Sequence, residues 1–239
     1  ALTDAAFLSR FSTSGSLLDY STYFGGSDST FGYAVAAGSG GEAFLVGETA
    51  AGNFPVLDAC QGSNAGGADA FAAEFASSGS LLLYSTYLGG SGEDRAYAVA
   101  RDGEGRANLV GRTESADFPL RNPYQPARAG TAAAFVARLS VSGARLHFST
   151  YLGGPGGRTE GLAVAASGRN LVYASGVTSS VAFPTRDPYQ ADWSGLTDAF
   201  LARLNFTSPT PSPLSPTPTP EPTIVPTPLM TPGAAATAS

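Results

Sequence analysis

The sequence predicts an all-β protein: a propeller-like array of about three four-stranded antiparallel blades, open at its ends, followed by an extended polyproline-type tail. Three observations predict it. A unit of 64 residues recurs, marked by "DYSTYFGG" at 19–26, "LYSTYLGG" at 83–90 and "HFSTYLGG" at 147–154. Within each unit, short runs with alternating side chains end in glycine turns. No stretch sustains an apolar stripe at the helical period, so helices longer than about two turns are not expected.

The repeat fixes the organisation. Phe7, Phe71, Phe135 and Phe200 head four copies of one strand motif, each preceded by an alanine. "FP" recurs at 54–55, 118–119 and 183–184, and "PYQ" at 123–125 and 188–190 matches "ACQ" at 59–61. The repeats run over about 6–69, 70–133 and 134–198, with a partial fourth at 199–206; the repeat domain spans 1–206 and a tail spans 207–239.

Residues 70–133 give the elements in order. "AFAAEFA" (70–76) is a strand closed by the turn "SSGS", and "LLLYSTYLGG" (81–90) is a second strand ended by a glycine pair. "AYAVARD" (96–102) is the third, "GEG" its turn, and "RANLVGRT" (106–113) the fourth; a proline-bearing loop then returns to the next unit. The second run is apolar on both faces, with Leu82, Tyr84, Thr86 and Leu88 on one side and Leu81, Leu83, Ser85 and Tyr87 on the other. A strand that buries both faces belongs to a sheet stacked between other sheets. Tyr23, Tyr87 and Tyr151 are therefore expected to pack between blades. Cut at the "AYAVARD"-type strand, the chain is two strands, two complete four-stranded blades and three final strands.

These motifs resemble the bacterial SBBP-type β-propeller repeat, in "TDAF" at 197–200, "STYLGG" at 85–90 and 149–154, and "SADFP" at 115–119. The resemblance runs from about Thr3 to Phe206. It implies a scaffold of large surface and secreted proteins and names no activity. The turns "GSGGE", "DGEGR" and "ASGRN" depart from the repeat's usual "DxxGN".

Composition narrows the function. The net charge of −6 opposes nucleic acid and anionic lipid surfaces. All 13 basic residues are Arg, so Schiff-base lysine chemistry and Walker-type phosphate binding are excluded. One cysteine makes no internal disulfide, and no apolar run has the roughly 20 residues that span a bilayer. The start "ALTDAAF", without Met or a signal peptide, fits a mature secreted product or a trimmed fragment.

No catalytic, cofactor or metal set is expected. His147 stands where the other copies have Asp19 and Leu83, and Cys60 takes the slot of Tyr124 and Tyr189 as a small inert thiol. Glu93 and Asp94 read as a solvated turn or a local partner for Arg95. Asp102 and Glu104 offer carboxylates to Ca²⁺, but the matching loops do not repeat them. The glycine-rich "GGSGED" and "GGPGGR" lack the helix and lysine of a phosphate loop.

Two surfaces are candidates. The proline loops carry Tyr124, Tyr189, Trp193, Arg128 and Arg186, a rim for a glycan or protein ligand or a seal of the loop onto its blade. The open ends carry Phe7, Phe11, Leu17 and Tyr20 in the first strands, and Phe200 and Leu204 in the last. The tail holds ten prolines from Pro209 to Pro232 and adds Ile224, Val225, Leu229 and Met230 to this assembly surface; it is a stalk, or it docks on a neighbouring subunit. The expectation is a non-enzymatic, extracellular or cell-surface protein that assembles with itself into an oligomer or filament. The alternative is a stalked adhesion module for glycans or surface proteins.

Overall fold

The computed structural model describes residues 3–206, and among them it is all-β, with no helix. The tail residues Ile224, Val225, Leu229 and Met230 lie outside the described residues. Thirteen strands form four antiparallel sheets. The first holds β1 (Ala6–Phe11) and β2 (Leu18–Phe24). The second has the order β3 (Thr30–Ala37), β4 (Ala43–Thr49), β5 (Asp69–Phe75), β6 (Leu82–Leu88). The third repeats it with β7 (Asp94–Arg101), β8 (Ala107–Thr113), β9 (Ala133–Leu139) and β10 (Leu146–Leu152). The fourth stops at three: β11 (Thr159–Ser167), β12 (Leu171–Thr178) and β13 (Asp198–Asn205).

The sheets stack through their faces. β7 lies against β3, β4 and β5, and β11 against β7, β8 and β9. Between the second and third sheets, Phe44, Val46, Tyr84 and Leu88 pack with Leu109, Phe135 and Tyr151. Between the first and second, Phe24 meets Phe54, Phe71 and Phe75 edge-on, with ring centroids 4.8, 6.0 and 5.0 Å away. β5 and β9 are consequently buried at every position. Two-sided burial holds in β6 from Tyr84 to Leu88; Leu81 and Leu83, at the hairpin end, are exposed.

One glycine in each of the second, third and fourth sheets explains a recurrent motif. In β3, β7 and β11 a bulge follows Gly32, Ala96 and Gly161, and each of these pairs with a glycine of the next strand. A Cβ on Gly47, Gly111 or Gly176 would lie 1.7, 1.8 or 1.8 Å from the carbonyl oxygen of Phe31, Arg95 or Glu160. It would also meet the ring of Phe71, Phe135 or Phe200. The second strand must therefore be bare where the bulged carbonyl and the phenylalanine of the third strand converge.

The expectation for the three tyrosines needs correction. Tyr87 and Tyr151 are 1% and 0% exposed, whereas Tyr23 is 83% exposed. The difference lies in neighbours: no loop or sheet among the described residues covers the outer face of β1 and β2.

Candidate assembly edges

The long loop between the second and third strands of a sheet builds a seat for the fourth. In the second sheet, the loop from 50 to 68 runs along the free edge of β6. Leu57 and Ser85 exchange backbone hydrogen bonds of 3.1 and 2.9 Å. The Gln61 amide donates to Thr86 Oγ1 at 2.9 Å, and the Gly89 amide donates to Gln61 Oε1 at 3.0 Å. The Tyr87 hydroxyl donates to the Ala51 carbonyl at 2.6 Å and accepts from the Phe54 amide at 3.1 Å. "STYxGG" is thus a row of groups that answers one loop.

The third sheet repeats the seat. Arg121 and Ser149 exchange backbone bonds, Gln125 N donates to Thr150 Oγ1 at 2.9 Å, and Gly153 N donates to Gln125 Oε1 at 3.1 Å. Tyr151 Oη donates to Ser115 O at 2.9 Å and accepts from Phe118 N at 3.1 Å.

The fourth sheet has the seat without the strand. Its loop keeps the same local structure. Asp187 adopts φ 47°, as Asp58 and Asn122 adopt 47° and 48°, a left-handed turn that Asp and Asn tolerate. Phe183 stacks on Phe200 at 4.8 Å and 29°, as Phe118 does on Phe135 at 4.7 Å and 29°. Gln190 Nε2 donates to Asp192 O at 2.8 Å, as Gln61 Nε2 does to Ser63 O at 3.1 Å. Yet the Ser180 carbonyl and the amides of Phe183 and Gln190 have no hydrogen-bond partner among the described residues. Beside them lies a groove of about 1190 Å³, lined by Phe148, Tyr189, Trp193, Phe200 and β13.

The opposite end has a strand without a seat. Phe7 and Tyr23 are cross-strand partners and are 67% and 83% exposed. Phe11 and Leu17 continue this apolar face at 61% and 67%. Tyr20 is half-buried and joins Phe24 and Phe75 in the core between the first two sheets. At the other end Phe200 is buried, Leu204 is half-buried, and Leu201 between them is 75% exposed.

Of the residues expected at a ligand rim, Tyr124, Arg186, Tyr189 and Trp193 line the groove beside β13. Arg128 does not; its Nη1 donates to the carbonyl of Gly130 at 2.8 Å and to that of Thr131, bracing its own loop.

The titratable groups lie elsewhere. His147 is exposed on β10; burial, then Arg106, Arg138 and Arg145, lower its pKa. Burial raises the Cys60 thiol, whose sulfur lies 3.3 Å from Thr86 Oγ1. Glu93 pairs with Arg95 at 2.6 Å as expected, but Asp94 is fully buried rather than solvated. Its Oδ2 accepts from Gly90 N at 2.8 Å and Ser115 Oγ at 2.7 Å. The sequence reading missed this residue; the signal was that Thr30 and Thr159 hold the same position, each bonded to a threonine of the next strand. Asp102 is held by Arg106 at 2.7 Å, and among the described residues no three His, Cys, Asp or Glu side chains are grouped to hold a metal.

No family model matches the chain, and no curated protein matches it at a significant level.

Proposed function

We propose that the sheets are successive blades of an open β-propeller built from SBBP-type repeats, and that the protein is a non-enzymatic structural component that assembles with itself. The observation that carries this reading is the match between ends: a loop with an unfilled strand seat at one, an uncovered "STYFGG" strand with the exposed Phe7, Phe11 and Tyr23 at the other. Apolar faces of this kind mark contact surfaces, and a contact joining different surfaces propagates into a ring or a filament. The acidic, lysine-free composition and the proline-rich tail support an extracellular or cell-surface location. Electron microscopy of the purified full chain tests the reading: rings or filaments are expected, and a field of single particles at high concentration contradicts it.

A second reading rests on Tyr124, Tyr189, Trp193 and Arg186 lining one groove, an aromatic surface suited to a glycan or protein ligand displayed on a stalk. Dose-dependent binding on a glycan array, lost in Trp193→Ala, would favour it.

A further inference from the structure

β1 and β13 carry nearly the same sequence, "AFLSRF" at 6–11 and "AFLARL" at 199–204, and are satisfied on opposite faces. In β1, Ala6 and Leu8 are buried at 4% on the second sheet while Phe7 is 67% exposed. In β13, Phe200 is buried at 8% against Phe183, Ala134 and Leu152, while Leu201, the counterpart of Leu8, is 75% exposed. One strand between the third sheet of one copy and the second sheet of another would bury both faces.

We propose that β2 of a second copy enters the groove beside β13 as the missing fourth strand, with β13 taking the place of that copy's β1. The inference rests on the assembly reading above and gives it an atomic joint. The bonds are those made twice within the chain. Tyr23 Oη lies between Ser180 O and Phe183 N, Gln190 N donates to Thr22 Oγ1, and Gly25 N donates to Gln190 Oε1. Ser21 bridges the backbone of Arg186.

Both partners are already shaped for this. The loop holds the conformation of the two filled seats, and Thr22 Oγ1 donates to Tyr23 O at 3.0 Å, as Thr86 and Thr150 donate to Tyr87 O and Tyr151 O at 2.8 Å. Little ordering remains to oppose binding. β13 is the strand that stays because Phe206 just beyond it is anchored: its amide donates to Asn170 O at 2.8 Å, and its ring lies 3.8 Å from the Arg138 guanidinium. β1 is held by the Thr30 amide, which donates to Asp4 O at 2.9 Å, and by Arg10 Nη1, which donates to Ser77 O at 3.1 Å, but it lacks a ring anchor like that of Phe206 and its outer face is bare.

The test uses the full chain and a fluorescein-labelled peptide of residues 17–26, "LLDYSTYFGG". Fluorescence anisotropy is expected to show saturable binding, weakened at least tenfold by Tyr23→Phe in the peptide or by Gln190→Ala in the chain. Excess peptide lowers the assembled mass. Leu201→Asp in the chain, on an exposed position compatible with folding, also lowers that mass and leaves peptide affinity within twofold, since the peptide brings no second sheet. Assembly that persists in excess peptide and in Leu201→Asp overturns the joint and leaves the assembly reading standing. A chain that stays monomeric overturns both; if it still binds the peptide, the groove takes a strand from a donor other than a second copy.

Discussion

Asp69 on β5 and Asp94 on β7 face each other across the junction of the second and third sheets. Each is fully buried with one carboxylate oxygen lacking a hydrogen-bond partner among the described residues. Both crowd Gly89: a Cβ there would lie 2.5 Å from Asp69 Oδ1 and 2.8 Å from Asp94 Oδ2. At the neighbouring junctions the matching residues are Ala5 with Thr30 and Ala133 with Thr159, which bring no charge.

The pair makes stability depend on pH. Burial pushes Asp69 up to about 7, with the Asp94 charge adding to the shift, and burial also raises Asp94. An unfolded aspartate titrates near 3.9, so the folded state binds more protons between about pH 4 and 7, and stability falls as pH rises through that window. Glu74, raised to about 7 by burial and the Glu42 charge, acts in the same direction. Asp69→Asn is expected to raise the melting temperature at pH 8 and to leave it nearly unchanged at pH 4. An equal effect at both values would remove the carboxylate from the account.

Tyr87 holds loop, strand and core together. Tyr87→Ala is expected to destabilise by about 3–5 kcal/mol, as for other large buried aromatics. Tyr87→Phe keeps the packing but removes the hydroxyl that links the Ala51 carbonyl and the Phe54 amide, leaving them their long mutual bond of 3.4 Å, at about 1–3 kcal/mol. Tyr23→Phe is expected to be neutral in the monomer. Denaturant unfolding of the three variants checks the ranking.

The glycine opposite the bulge admits no side chain. Gly111→Ala places a methyl group on the Arg95 carbonyl and the Phe135 ring and is expected to destabilise by at least about 1–3 kcal/mol. Gly52→Ala, where a Cβ meets nothing within 4 Å, serves as the control. Similar unfolding midpoints for the two variants would place the crowding elsewhere.

The repeat, the strand order and the cut into two, four, four and three strands were legible in the sequence, because alternation and glycine turns are local signals. Burial was not, where it depends on a neighbour. Tyr23 shares its motif with Tyr87 and Tyr151, yet among the described residues no loop runs along β2 as the 50–68 loop runs along β6. Leu8 and Leu201 likewise share a motif and differ in exposure because one strand has a sheet over that face. Asp94 was hidden for a related reason. In "SGEDRAY" it resembles a charged turn, and only the structure places it at the first position of β7, opposite Asp69.

Light scattering on the full chain during size-exclusion chromatography, over a rising concentration series, tests self-assembly most directly. The expected result is a mass that grows in multiples of 24.1 kDa and falls back in Leu201→Asp. A mass fixed at 24.1 kDa across the series would contradict the account.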